Sequence, residues 1–233
     1  MDNAARTRQR VLAVFLPITA VLYISGEAVS PKGTDALATD TASALKLLAV
    51  AAKYPAQLYA AGGLVLVALA CLAVSYAAIT TLVRNRGAAL ATVAALLGGL
   101  GALSGVVTNG LAYPNLAAAA TAHLAPAAAA QFMVTSSNSA FAHVFTYFYA
   151  GSEYLAPVLM GLALWLSRSV PRWLAVLFVI GVEIASSQGS SGIIVILWML
   201  PFAAALILLA ARIWQAAALP ASEPQKELAG MPV

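Results

Sequence analysis

The chain has 233 residues, 62% of them hydrophobic and only 9% charged, with a mean hydropathy of +0.91 and a formal net charge of +4. This composition excludes a soluble globular domain, and the length suits one helical bundle with no separate soluble catalytic domain. A single Cys71 excludes an internal disulfide and a Cys-rich metal site, and the grouping of the cations at the ends of apolar runs excludes nucleic acid as their partner.

Arg6, Arg8 and Arg10 precede the first apolar run. No A-x-A-like site follows them, so the run reads as a retained membrane anchor rather than a cleaved signal. The first span is predicted over about 11–29, VLAVFLPITAVLYISGEAV, bent by Pro17 and carrying Glu27 near its far end. A polar loop with Pro31, Gly33, Asp35 and Asp40 leads into Thr41–Lys53. That piece, with Leu45, Leu47, Leu48 and Val50, is too short to span and is expected at the interface. The second span covers about 54–82 and ends at Arg84, Asn85, Arg86 and Gly87. The third, about 88–113, has Gly98, Gly99, Gly101 and Gly105, which suit close helix approach. Residues 115–137 are Ala-rich, free of charge and broken by Pro126, as in two short interfacial helices or a re-entrant loop. The fourth span covers about 138–167, the fifth 171–187 and the sixth 191–214, the last two joined by the GSSG turn at 189–192. Residues 1–215 thus form the bundle. Residues 216–233, with Pro220, Pro224 and mixed charges, read as a disordered cytoplasmic tail.

The predicted fold is an all-α integral-membrane bundle of six transmembrane helices with short external interfacial helices, set in the cell membrane. Arg6, Arg8, Arg10, Arg84, Arg86, Arg168, Arg172 and Arg212 all fall on one side of this arrangement. Lys32, Lys46 and Lys53 sit on the other, near Asp35 and Asp40. The positive-inside bias then places both termini in the cytoplasm. No internal repeat is evident.

Glu27, Glu153 and Glu183 lie inside predicted spans. At 1.5 Å per residue from the cytoplasmic ends they reach depths of about 24, 21 and 18 Å, one slab of the membrane. Carboxyls there are costly and rare, and by default they mark function. At about 100° per residue Thr146, Tyr149, Ala150 and Pro157 share the face of Glu153, and His143, Tyr147 and Tyr154 adjoin it. Phe145 and Phe148 complete an aromatic block. Tyr23 lies one turn below Glu27, and Ser186 and Ser187 one turn above Glu183. Asn109, Tyr113, His143, Gln188 and His123 fall near the external mouth, and Trp198 joins the aromatics expected to bind substrate. The plainer interpretation is that these carboxyls only fix helix packing, and that Tyr147 and Phe148 are interfacial belt residues.

Burial in apolar surroundings favours the neutral form of a carboxyl, which suits a general acid. Aromatic faces stabilise a cation. Glu153 is therefore the candidate proton donor, with Glu183 or Glu27 orienting it or taking the final proton. Tyr23, Asn109, Tyr113, His143, Tyr147, Tyr149, Tyr154 and Trp198 are the candidate substrate-binding residues. Two histidines without i, i+4 spacing give no metal or haem site. P-loop, dinucleotide, G-x-S-x-G, Asp-rich diphosphate-binding and His-box signatures are all missing, so the expected chemistry uses no metal or other cofactor.

The stretch SRSVPRWLAVLFVIG, from Ser167 to Gly181, resembles the turn and span of a broad, uncharacterised family of small bacterial membrane proteins, and LYISGE around Glu27 fits it. In size, span number and buried acids the chain also resembles the small integral-membrane terpene cyclases of bacterial indole-terpenoid and drimane-type pathways. The fungal meroterpenoid cyclases are similar in length and have seven spans. The second resemblance implies a lipophilic prenylated or polyprenyl substrate, met within membrane lipid and cyclised after protonation by a buried acid. The alternative is a non-catalytic small membrane protein: a proton-coupled transporter, an immunity factor or an assembly factor.

Overall fold

The computed structural model describes residues 3–32, 40–83, 86–110, 112–122, 124–187 and 194–218, and every regular element among them is helical. The elements are α1 (Asn3–Val29), α2 (Thr41–Lys53), α3 (Pro55–Thr80), α4 (Ala88–Gly105), a π-helical turn (Val106–Gly110), α5 (Ala112–Thr121), α6 (Pro126–Ser137), α7 (Ala140–Ser167), α8 (Arg172–Ser187), α9 (Ile194–Trp198) and α10 (Leu200–Ala218).

Local chemistry sets most of these boundaries. Asp40 caps α2: its Oδ1 accepts the Ser43 backbone N–H at 2.7 Å, and Ser43 Oγ accepts the Asp40 N–H at 3.1 Å. This reciprocal box satisfies two donors that the first turn leaves unpaired. Prolines open α3 at Pro55 and α6 at Pro126, where the missing N–H costs nothing. Ser139 caps α7, accepting the Ala142 N–H at 3.1 Å. At the other end Arg168 stops the helix in the left-handed region, φ 53°.

Six helices close into a ring. α1 packs on α3, α3 on α4, α4 on α7, α7 on α8, α8 on α10, and α10 returns to α1. The core inside is apolar, with Leu16, Ile79, Met160, Leu164, Leu174, Phe178, Leu206 and Ile213 all fully or almost fully buried. A second, smaller cluster joins α2, α3, α5 and α6 through Leu47, Leu48, Leu58, Leu116, Ala129 and Ala130.

Four helical runs are long and apolar enough to cross a membrane: Asn3–Val29, Pro55–Thr80, Ala88–Thr121 and Leu200–Ala218, consistent with a membrane protein. Six were expected from the sequence. α8 has only 16 residues, and α7, though 28 residues long, carries Glu153, His143 and Pro157 among its apolar residues. Other boundaries move as well. α1 begins at Asn3, eight residues ahead of the predicted span, because Arg and Gln are good helix formers. The third run continues through the π turn into α5. The sixth is divided at Met199, with Pro201 in the first turn of α10. The segment after Asn115 resolves into two short helices divided before Pro126. Asp35, Arg84, the turn at 189–192 and the tail after 218 lie outside the described residues.

Candidate acid site at the axis of the helix ring

Glu153 stands on α7, whose inward face buries Tyr149, Ser152, Ala156, Pro157 and Met160. This spacing of three and four residues brings successive side chains onto one side. Pro157 lacks the N–H that would bond the carbonyl of residue 153, so that acceptor is left free of its helical partner beside the carboxyl. The Tyr149 hydroxyl donates to Glu153 Oε1 at 2.9 Å. Tyr23 from α1 and Asn109 from the π turn bring their polar ends to the Tyr149 oxygen. Such π turns recur at functional sites because they re-aim a side chain within a continuous helix. Ser186 on α8 lies beside the carboxyl. Its hydroxyl also reaches the Val182 carbonyl at 2.9 Å, as a donor.

A cavity of about 30 Å³ opens in front of Glu153, and each of the six ring helices contributes to its wall. Tyr23 comes from α1, Leu72 and Tyr76 from α3, Gly98 and Gly101 from α4, Ser152 from α7, Ala185 from α8 and Phe202 from α10. Tyr23 meets Phe202 edge-on, with ring centroids 6.0 Å apart at 63°. The space has room for about one water.

α4 makes this arrangement possible by having no side chains where the others need room. A Cβ on Gly98 would stand 2.5 Å from the Tyr76 ring, and one on Gly105 would stand 2.6 Å from the Tyr149 ring. On Gly101 it would collide with the Ser152 hydroxyl. Gly98, Gly101 and Gly105 recur every three to four residues, so one face of α4 receives the site.

Of the residues singled out from the sequence, Glu153, Tyr149, Tyr23 and Asn109 come together. Tyr113 packs close by, against the cluster of Val65, Leu69 and Tyr149. Glu183 is partly buried next to the cavity-lining Val182 and is near enough to act electrostatically on Glu153. Its Oε1 is shielded from solvent and has no hydrogen-bond partner among the described residues. Glu27 acts on Tyr23. Neither Glu27 nor Glu183 lines the cavity itself. The adjoining stripe turns elsewhere: Tyr147 is 70% exposed and Tyr154 47% on the outside of the bundle. His143 stacks on Tyr147 and bonds the Ser139 carbonyl. Trp198 also faces outward. His123 and Gln188 lie outside the described residues.

Sequence reasoning missed Tyr76, Ser152, Ser186 as a partner of Glu153, and Phe202. The pair Ser75-Tyr76 inside the apolar α3 run was the available signal. Compared with protein-family models, with curated proteins and with solved structures, the chain matches none.

Proposed function

We propose that the chain is a six-span membrane protein with both termini cytoplasmic, and that Glu153 starts the cyclisation of a lipophilic prenylated or polyprenyl substrate by protonating it. The observation that carries this reading is one carboxyl facing a small, partly open cavity among the rings of Tyr23, Tyr76, Tyr149 and Phe202. The closed ring of α1, α3, α4, α7, α8 and α10 supports counting α7 and α8 as spans with the other four, since both share its core. In the reaction the Glu153 proton adds to a terminal alkene carbon or an epoxide oxygen. The carbocation closes rings by C–C bond formation while the aromatic faces stabilise it. Loss of a proton to a base, Glu183 or Glu27 once the helices part, gives an isomer of the substrate.

Substrate-sized pockets take about 300–1,000 Å³, so the helices must part before a prenyl chain reaches Glu153. α7 and α8 pack least extensively of the ring neighbours, and Glu153, Ser186 and Glu183 stand along that seam. A second reading, proton transfer across the membrane, is favoured by the water-sized volume of about 30 Å³. Against it, a close-packed layer separates the site from the arginine-bearing end. Thr19 and Ser75 bond each other at 3.1 Å, and beyond them Leu16 and Ala13 are fully buried before the Gln9–Thr81 pair.

The test is to incubate the purified protein in vesicles with farnesylated and geranylated acceptors and their terminal epoxides. The expected result is a product isomeric with one substrate. Proton flux through the same vesicles, with no product from any of the panel, would replace the first reading by the second.

A further inference from the structure

The outer face of the α7–α8 seam is not filled. Between the two helices runs an apolar groove of about 250 Å³, walled by Gly161, Leu162 and Trp165 of α7 and by Val176, Val179 and Ile180 of α8. Gly161 lets Val179 approach α7 at the floor of the groove, since a Cβ there would collide with the valine. The groove belongs to the half of the ring nearest the α7–α8 turn, and that turn bears two exposed cations, Arg168 and Arg172. The Arg172 guanidinium sits over the Trp165 ring at 4.9 Å. Neither arginine makes an ion pair with the described residues. A guanidinium stacked on an aromatic face keeps its N–H groups free along its edge, the geometry that receives a phosphate.

We propose that this groove binds an anionic phospholipid of the cytoplasmic leaflet, one acyl chain lying in the groove and the phosphate held at Arg172 and Arg168. The occupant follows from the pairing of an apolar trough with cations at one end. A zwitterionic lipid also brings a phosphate, but its own ammonium competes for that phosphate and repels the two arginines, whereas a net-anionic headgroup has no such cation and pairs with both. From Arg172 to the far wall of the trough at Ile180 is about 12 Å at 1.5 Å per residue, which matches the upper part of an acyl chain rather than a whole one. The site rests on α7 and α8 lying in the membrane with their connecting turn on the cytoplasmic side, and is independent of the cyclisation reading.

Trp165 reports on its occupancy. In the full chain with Trp173, Trp198 and Trp214 each changed to Phe, Trp165 is the remaining indole. All three replaced residues face outward, so helicity by circular dichroism should be unchanged. The protein is reconstituted in phosphatidylcholine vesicles containing a small fraction of either chain-brominated phosphatidylglycerol or chain-brominated phosphatidylcholine. The expected result is several-fold stronger quenching by brominated phosphatidylglycerol at equal mole fraction. That preference should disappear with R168Q and R172Q together, and Val176→Phe should weaken quenching by filling the trough. Equal quenching by the two lipids overturns the proposal while leaving α7 and α8 in the bilayer. Quenching by neither overturns both the lipid site and the placement of these helices in the membrane.

Discussion

The acid site depends on atoms that are missing as much as on those present. Gly101 faces Ser152 so closely that a methyl group would stand 2.6 Å from the serine Cβ, and rotating the hydroxyl does not relieve that contact. Gly101→Ala should therefore cost about 1–3 kcal/mol by overpacking. Gly99, two residues earlier, has only the Ala73 carbonyl near its would-be Cβ, at 4.0 Å. Gly99→Ala should be neutral or stabilising by up to about 1 kcal/mol, because alanine has less backbone freedom than glycine to lose when the helix forms. Thermal unfolding of the two variants side by side in detergent checks the contrast, and equal effects would mean that the glycine face does not seat the site. The sequence itself identifies Glu153, Tyr149 and Tyr23, since a carboxyl and tyrosines at helical spacing stand out in an apolar run. Tyr76 and Phe202 do not stand out. α3 and α10 supply apolar residues on every side, so periodicity does not tell which ring turns inward. The outward turn of Tyr147 and Tyr154 has the same origin: the stripe beside Glu153 was legible, but which neighbour α7 packs on was not.

Helix ends were legible where a side chain fixes them. α2 begins at the predicted Thr41, where Asp40 and Ser43 form a reciprocal cap, and ends at the predicted Lys53, just before Tyr54 and the Pro55 that opens α3. The Ser43 backbone N–H, then the Ser43 hydroxyl, hold the exposed Asp40 carboxyl below its ordinary value of 3.8. A depressed folded-state pKa means that the cap stabilises α2 fully above the ordinary carboxylate pKa. That contribution is lost as pH falls through the lower folded value. The protection factors of the first-turn amides of α2, exchange corrected for its intrinsic pH dependence, should therefore hold through mildly acidic pH and fall only below the ordinary carboxylate range. In Asp40→Ala they should be low throughout, and wild-type protection that does not change with pH would contradict the capping role. Ends without such a signal moved: α4 runs on through the π turn, and Pro201 resets the start of α10.

The ring order of the whole molecule could not be read from the sequence. Apolar runs give the helices, but their neighbours follow from glycine contacts such as Gly26 on Val65 and Gly181 on the backbone of Phe202. Chain direction and arginine placement still predict the sidedness. Reporter fusions after Arg86 and after Ser137 should report opposite sides of the membrane, cytoplasmic and external respectively, and the same side for both would break the six-span arrangement. Within that ring one carboxyl faces the cavity, and replacing it tests the proposed chemistry most directly. Glu153→Gln keeps the volume and can still accept the Tyr149 hydrogen bond, but it has no acidic proton to give. With the prenylated substrates in vesicles, turnover should fall by at least about a hundredfold, the lower range for loss of a general acid. Helicity and membrane insertion should not change, and Glu153→Asp should retain part of the activity. Product formed by Glu153→Gln at the wild-type rate would contradict the assignment and leave Glu153 a packing residue.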